Sequence, residues 1–407
     1  MILTPKQEQG LKIAVERYNN HEPYTVIAGY AGTGKSTLVR FIVDTLQLDP
    51  TKVSYASFTG KAAQVLRLKG CPNAKTVHRL LYDCKYNQIT GQFYFRPKEH
   101  LNHWKLIIVD EVSMLPKELW DLLLSYHRPI IAIGDPAQLP PVMAENCGVL
   151  DHPHIFLDEV VRQAQDNEII RLTMKIRNGE TLPLYRGKTV RIVDRKELGE
   201  QGFFGWADQI LVGKNKSRIF VNNIIRQSIW SSINKNEAYN LEPQVGDKII
   251  CLHNYWDIVN ETNDALVNGM IGYINNIYYD EASPYMDKTP HITFMPEYDD
   301  SAVFPRTKSL EVDYKLFMEH KPTVSYGKDG NYLQMSKLQR LTQHQFPLEF
   351  DYAYAITTHK AQGSEWDKVI VLEEHFQSAT KENHQKWLYT AATRASEKLI
   401  LVKDFYI

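Results

Sequence analysis

Nine consecutive residues, Gly29-Tyr30-Ala31-Gly32-Thr33-Gly34-Lys35-Ser36-Thr37, satisfy the phosphate-loop pattern GxxxxGK[ST] at every constrained position. Glycines let successive backbone N–H groups turn inward toward phosphate oxygens. A helix starting at the loop adds the partial positive charge of its N-terminus. Lys35 suits the β- and γ-phosphates, and the Ser36 hydroxyl suits a Mg²⁺ ion. Gly32, Thr33, Gly34 and Thr37 complete the cradle, so the stretch predicts a nucleoside triphosphate site. Further on, Asp110-Glu111 closes a run of four apolar residues. Asp110 would hold Mg²⁺, and Glu111 would orient and deprotonate an attacking water. Gln138 stands where a side chain could sense the γ-phosphate. Gln7 is an amide able to donate and accept at once, which matches an adenine edge, though a surface glutamine is the plainer alternative.

These residues need elements to hold them. Tyr24–Ala28 reads as a buried strand, and Leu38, Phe41, Ile42, Thr45 and Leu46 recur at helical spacing, so the loop joins strand to helix. Thr4 and Pro5 cap and open an earlier helix. Leu106–Val109 and Pro129–Ile133 are continuous apolar runs typical of parallel strands buried on both faces. Strand-to-helix turns at Thr59-Gly60-Lys61 and at Thr76-Val77-His78 offer hydroxyls and free N–H groups to a phosphodiester backbone. His78 is equally readable as a packed structural histidine. The segment Thr357-Thr358-His359-Lys360 has similar chemistry. Beside it, Gly363 permits close approach and Glu365 could accept from a ribose hydroxyl.

Between two of these units, Phe93, Tyr94 and Phe95 leave a Thr90-Gly91 turn, which predicts a small aromatic hairpin. Base–aromatic stacking is worth about 1–3 kcal/mol per base, against a mean of roughly 1.4 kcal/mol per stacked duplex step. Phe93 and Phe95 are therefore candidates for contacting DNA at a fork; packing on a neighbouring domain is the alternative.

The 407 residues exceed one ordinary core, so two or three domains are expected. With 43% hydrophobic and 23% charged residues, the composition is that of a globular protein. Cys71, Cys84, Cys147 and Cys251 stand singly, which suggests neither a zinc ribbon nor a disulfide framework. No signal core or bilayer-length apolar run is present, so a cytoplasmic protein with no membrane partner is expected. The net charge of −1 alone indicates no polyanion partner. Between residues 60 and 105, however, nine Lys and Arg face only Asp83 and Glu99, which is either a solvated face or a nucleic-acid groove.

Taken in order, GYAGTGKST, TGKAA (59–63), TVHRLL (76–81), DEVSM (110–114) and GDPAQLPPV (134–142) resemble the superfamily 1 DNA helicases of the RecD/Dda branch. TTHKAQGSEWD (357–367) and YTAATRA (389–395) resemble that family's last two motifs, with small substitutions at Ala361 and Ala392. The chain has the compact layout of the Dda-like phage members. The resemblance implies an α/β protein with two RecA-like domains of parallel sheet. It places a hairpin wedge at about 83–103 in the first domain and an SH3-like β-rich insertion in the second. The expected boundaries are 1–150 for the first domain, 151–270 and 346–407 for the second, and 271–345 for the insertion. It also implies ATP with Mg²⁺, a phosphate-sensing role for Arg162 and an arginine finger at Arg394. From the residues alone, a surface ion-pair arginine is the favoured reading of Arg162. The implied activity is 5′→3′ movement on single-stranded DNA with unwinding of forks. The expected protein is a monomer active in replication or recombination, in a bacterial host cytoplasm if phage-encoded, with single-strand-binding or replication proteins as candidate partners. A translocase that displaces proteins without strand separation shares the same motor. A nucleotide-gated DNA-binding switch would need less catalytic equipment than Glu111 and two arginines supply.

Overall fold

The computed structural model describes the chain except residues 1–2, 69, 72, 88–91, 142–144, 162–165, 200–203, 234–241, 262–264, 284–285, 299–301, 307–308, 322–346 and 377–379. Two compact units emerge. One comprises residues 1–82, 97–215 and 356–407; the other comprises 83–96 and 216–355.

The first unit carries two sheets. One has six strands in the order Lys75–Thr76, Val53–Ser57, Leu106–Asp110, Ile130–Gly134, Tyr24–Gly29, Ile155–Leu157, and its pairings are parallel. Strand side chains alternate between faces, and here both faces are apolar. Ile27, Ile108 and Ile131 pack with Leu38 and Ile42 of the helix Lys35–Thr45 and Ala14 of the helix Pro5–Asn19. Val26, Ile107, Val109 and Ala132 pack on the other face with Leu119, Trp120 and Leu123 of the helix Lys117–Ser125. Thr4 caps the first helix as expected, in a reciprocal capping box with Gln7, and Pro5 follows it.

The second sheet of this unit runs Ala355–Thr357, Gln209–Val212, Trp366–Leu372, Ala395–Lys403, Val190–Asp194, Tyr185–Arg186. Its central pairings are parallel, with an antiparallel edge at Tyr185–Arg186. The helix Lys381–Ala392 covers it and buries Trp387, Leu388 and Tyr389. The helix Glu168–Arg177 starts at an Asn167 cap and stops before Gly179, whose φ of +68° favours glycine.

In the second unit a five-stranded antiparallel sheet encloses its own core, which includes Phe294, Phe304, Phe350 and Tyr352. Its longest strands, Ile271–Ser283 and Met286–Pro296, pair with each other. The strands Lys248–Cys251 and Phe350–Tyr352 join them from either side of the expected 271–345 insertion, because their apolar faces complete that core. The strands Tyr82–Asn87 and Gln92–Pro97 form a separate two-stranded sheet. The turn between them and the side chains of Phe93 and Phe95 lie outside the described residues. No helix among the described residues is long and apolar enough to cross a membrane.

Candidate active site

Gly29, Asp110 and Gly134 are the last residues of three parallel strands, so the residues that follow them gather at one edge of the first sheet. The carboxyl ends of strands in open α/β sheets are where ligands bind. There a cleft of about 910 Å³ is lined by Lys35, Ser36, Asp110, Glu111 and Gln138 on one side. Gly363, Ser364, Glu365, Thr393 and Arg394, from the second sheet of the same unit, line the other. Sequence positions more than 350 residues apart thus share one cavity, and seven of the expected nucleotide-site side chains stand on its wall.

The phosphate loop has the backbone that its glycines predict. Gly32 and Gly34 have φ of +76° and +78°, a region that costs L-residues energy. A Cβ on Gly34 would stand 2.4 Å from Gln7 Nε2. That close approach is used: Gln7 Nε2 donates to Thr33 O at 3.0 Å, and Gln7 Oε1 accepts from Thr4 N at 3.0 Å. The amide therefore ties the first helix to the loop, a different task from the base-edge contact expected of it. Thr33 is buried, and its hydroxyl donates to Tyr30 O at 2.8 Å. Lys35 Nζ folds onto the loop, donating to Gly29 O at 2.7 Å and Tyr30 O at 2.9 Å. Ser36 and Thr37 open the helix.

Glu111 sits at φ +53°, ψ +45°, left-handed backbone in a residue other than glycine. Such a conformation costs of order 1–3 kcal/mol and clusters at functional sites. Its N–H donates to Asp110 Oδ1 at 3.0 Å. Gln138 is 7% exposed, and its Oε1 is buried with no hydrogen-bond partner among the described residues. An orphaned acceptor in the wall of a cleft is a group awaiting a donor. The residues present therefore fit a nucleotide with its Mg²⁺: a glycine-turned loop at a helix start, a lysine ammonium, a hydroxyl with a carboxylate, and an unpartnered acceptor.

Arg394 is 5% exposed. It donates to Thr390 O at 3.1 Å, Ser364 O at 3.2 Å and Thr393 Oγ1 at 3.0 Å. Its guanidinium is thus held by the helix end and by the turn that follows Gly363. Arg162 lies outside the described residues.

Two residues absent from the sequence-based site emerge here. Asp135 is 1% exposed and accepts from Ala137 N at 2.9 Å and from the Tyr389 hydroxyl at 2.7 Å. The same hydroxyl accepts from Ala31 N of the phosphate loop at 2.9 Å. Burial raises the carboxyl of Asp135 above the usual range despite the nearby Lys35 charge. Burial, with Asp135 beside it, likewise raises the Tyr389 phenol. Leu139 N donates to Thr390 Oγ1 at 3.0 Å, and Gln362 Nε2 donates to Leu139 O at 2.9 Å. The GDP and YTAA segments carry these residues, but nothing in either segment alone names its partner.

The residues expected to meet nucleic acid divide into groups. Thr59 and Lys61 meet the Gly363 turn: a Cβ on Gly363 would stand 2.7 Å from Ala62 Cβ and 3.1 Å from Thr59 Oγ1. Lys61 Nζ lies 4.4 Å from the Trp366 ring centre, a cation–π distance. Thr76 caps the helix Val77–Leu81, accepting from Arg79 N. His78 lies beside Phe58 and stacks with Tyr82, and burial lowers its pKa. Burial also lowers that of His359. Thr357 caps the short helix Thr358–Ala361 with its backbone. Thr358 is fully buried, and its hydroxyl donates to Val212 O at 3.4 Å. The basic segment is not a uniformly solvated face: Lys75 lies over Trp104 at 4.6 Å, and burial pushes its pKa down to about 8.

A phosphate loop at the edge of one parallel sheet, with a second, largely parallel sheet across the cleft, defines the class, a phosphate-loop α/β fold. Residues 3–196 match the AAA domain family, and residues 352–402 match the UvrD-like helicase C-terminal domain family. The chain is 28% identical over 400 residues to the ATP-dependent RecD2 DNA helicase of Deinococcus radiodurans, covering 92% of this chain and 46% of that one. It is 28% identical over 265 residues to the ATP-dependent DNA helicase dda of Enterobacteria phage T4, covering 56% and 58%. The chain thus spans about half the length of these curated relatives. A structure of Pif1 helicases at forked duplex DNA superposes over 100% of this chain and 93% of its own, with a TM-score of 0.57 at 17% identity. Bacteroides Pif1 with ADP-AlF3 and single-stranded DNA gives 0.53 at 18%, over the same shares of the two chains. The chain is similar in sequence to ATP-dependent DNA helicases named RecD2, dda and Pif1, and its fold is that of the two-domain Pif1 helicases.

Proposed function

We propose that this chain is an ATP-driven DNA helicase that moves 5′→3′ along single-stranded DNA and separates the duplex ahead of it. The observation that carries the proposal is the shared cleft, where Lys35, Ser36, Asp110, Glu111 and Gln138 face Arg394 across one cavity. Lys35 leaves its two loop carbonyls for the β- and γ-phosphates. Ser36 and Asp110 would hold Mg²⁺, whose charge would offset that of the phosphates. Glu111 takes the proton of the attacking water, and Gln138 Oε1 orients that water. Arg394, with Arg162, stabilises the charge that spreads over the transferred phosphoryl group, an effect worth about 10³–10⁵ in rate in comparable reactions. Gly363 and Glu365 meet the nucleotide from the opposite wall. The Asp135–Tyr389–Ala31 bridge couples the phosphate loop to the helix that leads to Arg394, so a change at the loop is transmitted to the second sheet.

The domain division at 1–150, 151–270, 271–345 and 346–407 belongs to this reading, with the last and second segments forming one RecA-like domain around an SH3-like insertion. Thr59, Lys61, Thr76, His78, Thr357 and His359 grip the strand, in part through backbone N–H groups. The two-stranded sheet within 83–103 acts as the wedge through Phe93 and Phe95. The chain works as a monomer.

ATP hydrolysis measured with and without single-stranded DNA, followed by unwinding of forks bearing only a 5′ or only a 3′ tail, tests the whole reading. Lys35→Ala serves as the inactive control. Strong stimulation with unwinding that requires the 5′ tail is expected. Stimulation without unwinding would leave a protein-displacing translocase. No stimulation would remove DNA as the partner and leave only the nucleotide site.

A further inference from the structure

Away from the cleft, Glu373, His375 and His384 gather where three elements of the second sheet converge. One ligand atom from each lies within 4.8 Å of the others. Glu373 follows the end of the strand Trp366–Leu372, and its backbone is locked to the neighbouring strand and its exit. Glu373 N donates to Val402 O at 2.8 Å, and Phe405 N donates to Glu373 O at 2.7 Å. His384 projects from the first turns of the helix Lys381–Ala392. His384 Nε2 meets Glu373 Oε1 at 3.1 Å, and His375 Nε2 meets Asp404 Oδ1 at 2.9 Å. The two imidazoles stack, with centroids 4.7 Å apart, and His384 lies over Trp387 on its other side at 6.0 Å.

Two ordinary histidine–carboxylate pairs would account for part of this arrangement, but not for its unpaired atoms. Glu373 is 6% exposed, and its Oε2 is buried with no hydrogen-bond partner among the described residues. The buried Nδ1 of His384 lacks one as well. A buried carboxylate oxygen left without a donor is costly, and a cation among the three side chains supplies what it lacks. The adjacent Glu374 is committed elsewhere: its Oε2 accepts from Gly213 N and Lys214 N.

We propose that Glu373, His375 and His384 form a binding site for a divalent transition metal ion, Zn²⁺ in the first instance. Two imidazoles and one carboxylate are a donor set for zinc and its neighbours in the first row, not for Mg²⁺ or Ca²⁺, which take oxygen ligands. Asp404 supports His375 from outside, as carboxylates do for ligating histidines. The ion would tie the strand end at Glu373 to the start of the helix that carries Tyr389 and Thr390 and leads to Arg394. Its role is therefore to stiffen the element that presents the arginine. Zn²⁺ binding at the site requires neither the nucleotide nor the proposed activity; only the role in presenting Arg394 rests on that reading.

The test uses full-length, tag-free protein stripped of metal, titrated with Zn²⁺ without nucleotide by calorimetry, alongside the visible spectrum after loading with Co²⁺. Wild type should bind a single Zn²⁺ per chain, melt at a higher temperature with Zn²⁺, and show Co²⁺ bands of nitrogen and oxygen ligation. His384→Ala and His375→Ala should each weaken Zn²⁺ binding by more than about tenfold, since loss of even an outer partner costs about 10–100-fold. Asp404→Asn should weaken it less. The His375 side chain is 64% exposed, so its variant keeps the test open if His384→Ala does not fold. Absence of Zn²⁺ binding by wild type would overturn the proposal. So would binding that both histidine variants retain, or Co²⁺ bands of thiolate ligation.

Discussion

At the residue scale, the candidate site separates groups poised to move from groups held in place. Lys35 donates to two carbonyls of its own loop, so turning it toward a phosphate disturbs little else. Arg394 is bound at three points in the wall of the cleft. Arg394→Ala would therefore remove both charge and local structure. Arg394→Lys keeps the charge but loses the planar fork, which makes it the cleaner probe. It should lower kcat by about 10³-fold while leaving nucleotide affinity nearly unchanged. Single-turnover kinetics with a parallel binding titration would check this, and an unchanged kcat would remove Arg394 as the finger. The residue types Lys, Ser, Asp, Glu and Arg were legible because their spacing follows short motifs. Asp135 and Tyr389 were not, because each reads as an ordinary motif residue until the fold brings their oxygen atoms to 2.7 Å.

At the element scale, the helix Glu168–Arg177 is anchored by its first residue. The Glu168 carboxylate accepts from Thr189 N at 2.6 Å, Val190 N at 3.1 Å, the Thr189 hydroxyl at 2.9 Å and the Tyr185 hydroxyl at 2.8 Å. The bond from the Thr189 N–H, and the others after it, hold its pKa down to about 2. A depressed carboxylate stabilises the fold above its unfolded pKa, and that contribution is lost as pH falls through the window toward about 2. Glu168→Gln should thus unfold at lower urea concentration at pH 7. The gap from wild type should narrow as pH drops below about 4.3, the ordinary glutamate value. A gap that stays constant with pH would show that charge is not the cause. The predicted hairpin is a two-stranded sheet in the structure, and an isolated hairpin is marginal alone. Replacing Phe93, Tyr94 and Phe95 by Ala should impair unwinding more than DNA-stimulated hydrolysis. Equal loss of both would point to packing.

At the scale of the whole molecule, the net charge of −1 leaves little general attraction for a polyanion. On the proposed function, DNA binding would rest on local contacts rather than on overall charge. The salt dependence for single-stranded DNA follows about −0.7 per phosphate neutralised. A shallow slope, corresponding to only a few phosphates, is expected from fluorescence anisotropy across a salt series. A steep slope would mean that the exposed basic residues between 60 and 105 carry the contact instead. The parallel core was readable because both faces are apolar, as in Ile107 and Ile108 of one strand. The five-stranded sheet of the second unit was readable only as β-rich. Its strands Lys248–Cys251 and Phe350–Tyr352 pair with each other yet come from sequence far apart and share no local pattern.

Local chemistry and period settle what lies within a few residues: the phosphate loop, the strand that feeds it, the Thr4 and Thr76 caps, and the carboxylates at a strand end. These follow from backbone sterics and hydrogen-bond geometry that neighbouring residues impose on one another. Tertiary structure alone decides which side chains meet across the chain. Gly363 packs on Ala62, Tyr389 bridges Asp135 to Ala31, and Glu373 faces His384 while Glu374 turns away. It also places Glu111 in left-handed backbone. Such pairings depend on strand order and on the burial of whole faces, so no window of sequence contains both the group and the partner that determines its role.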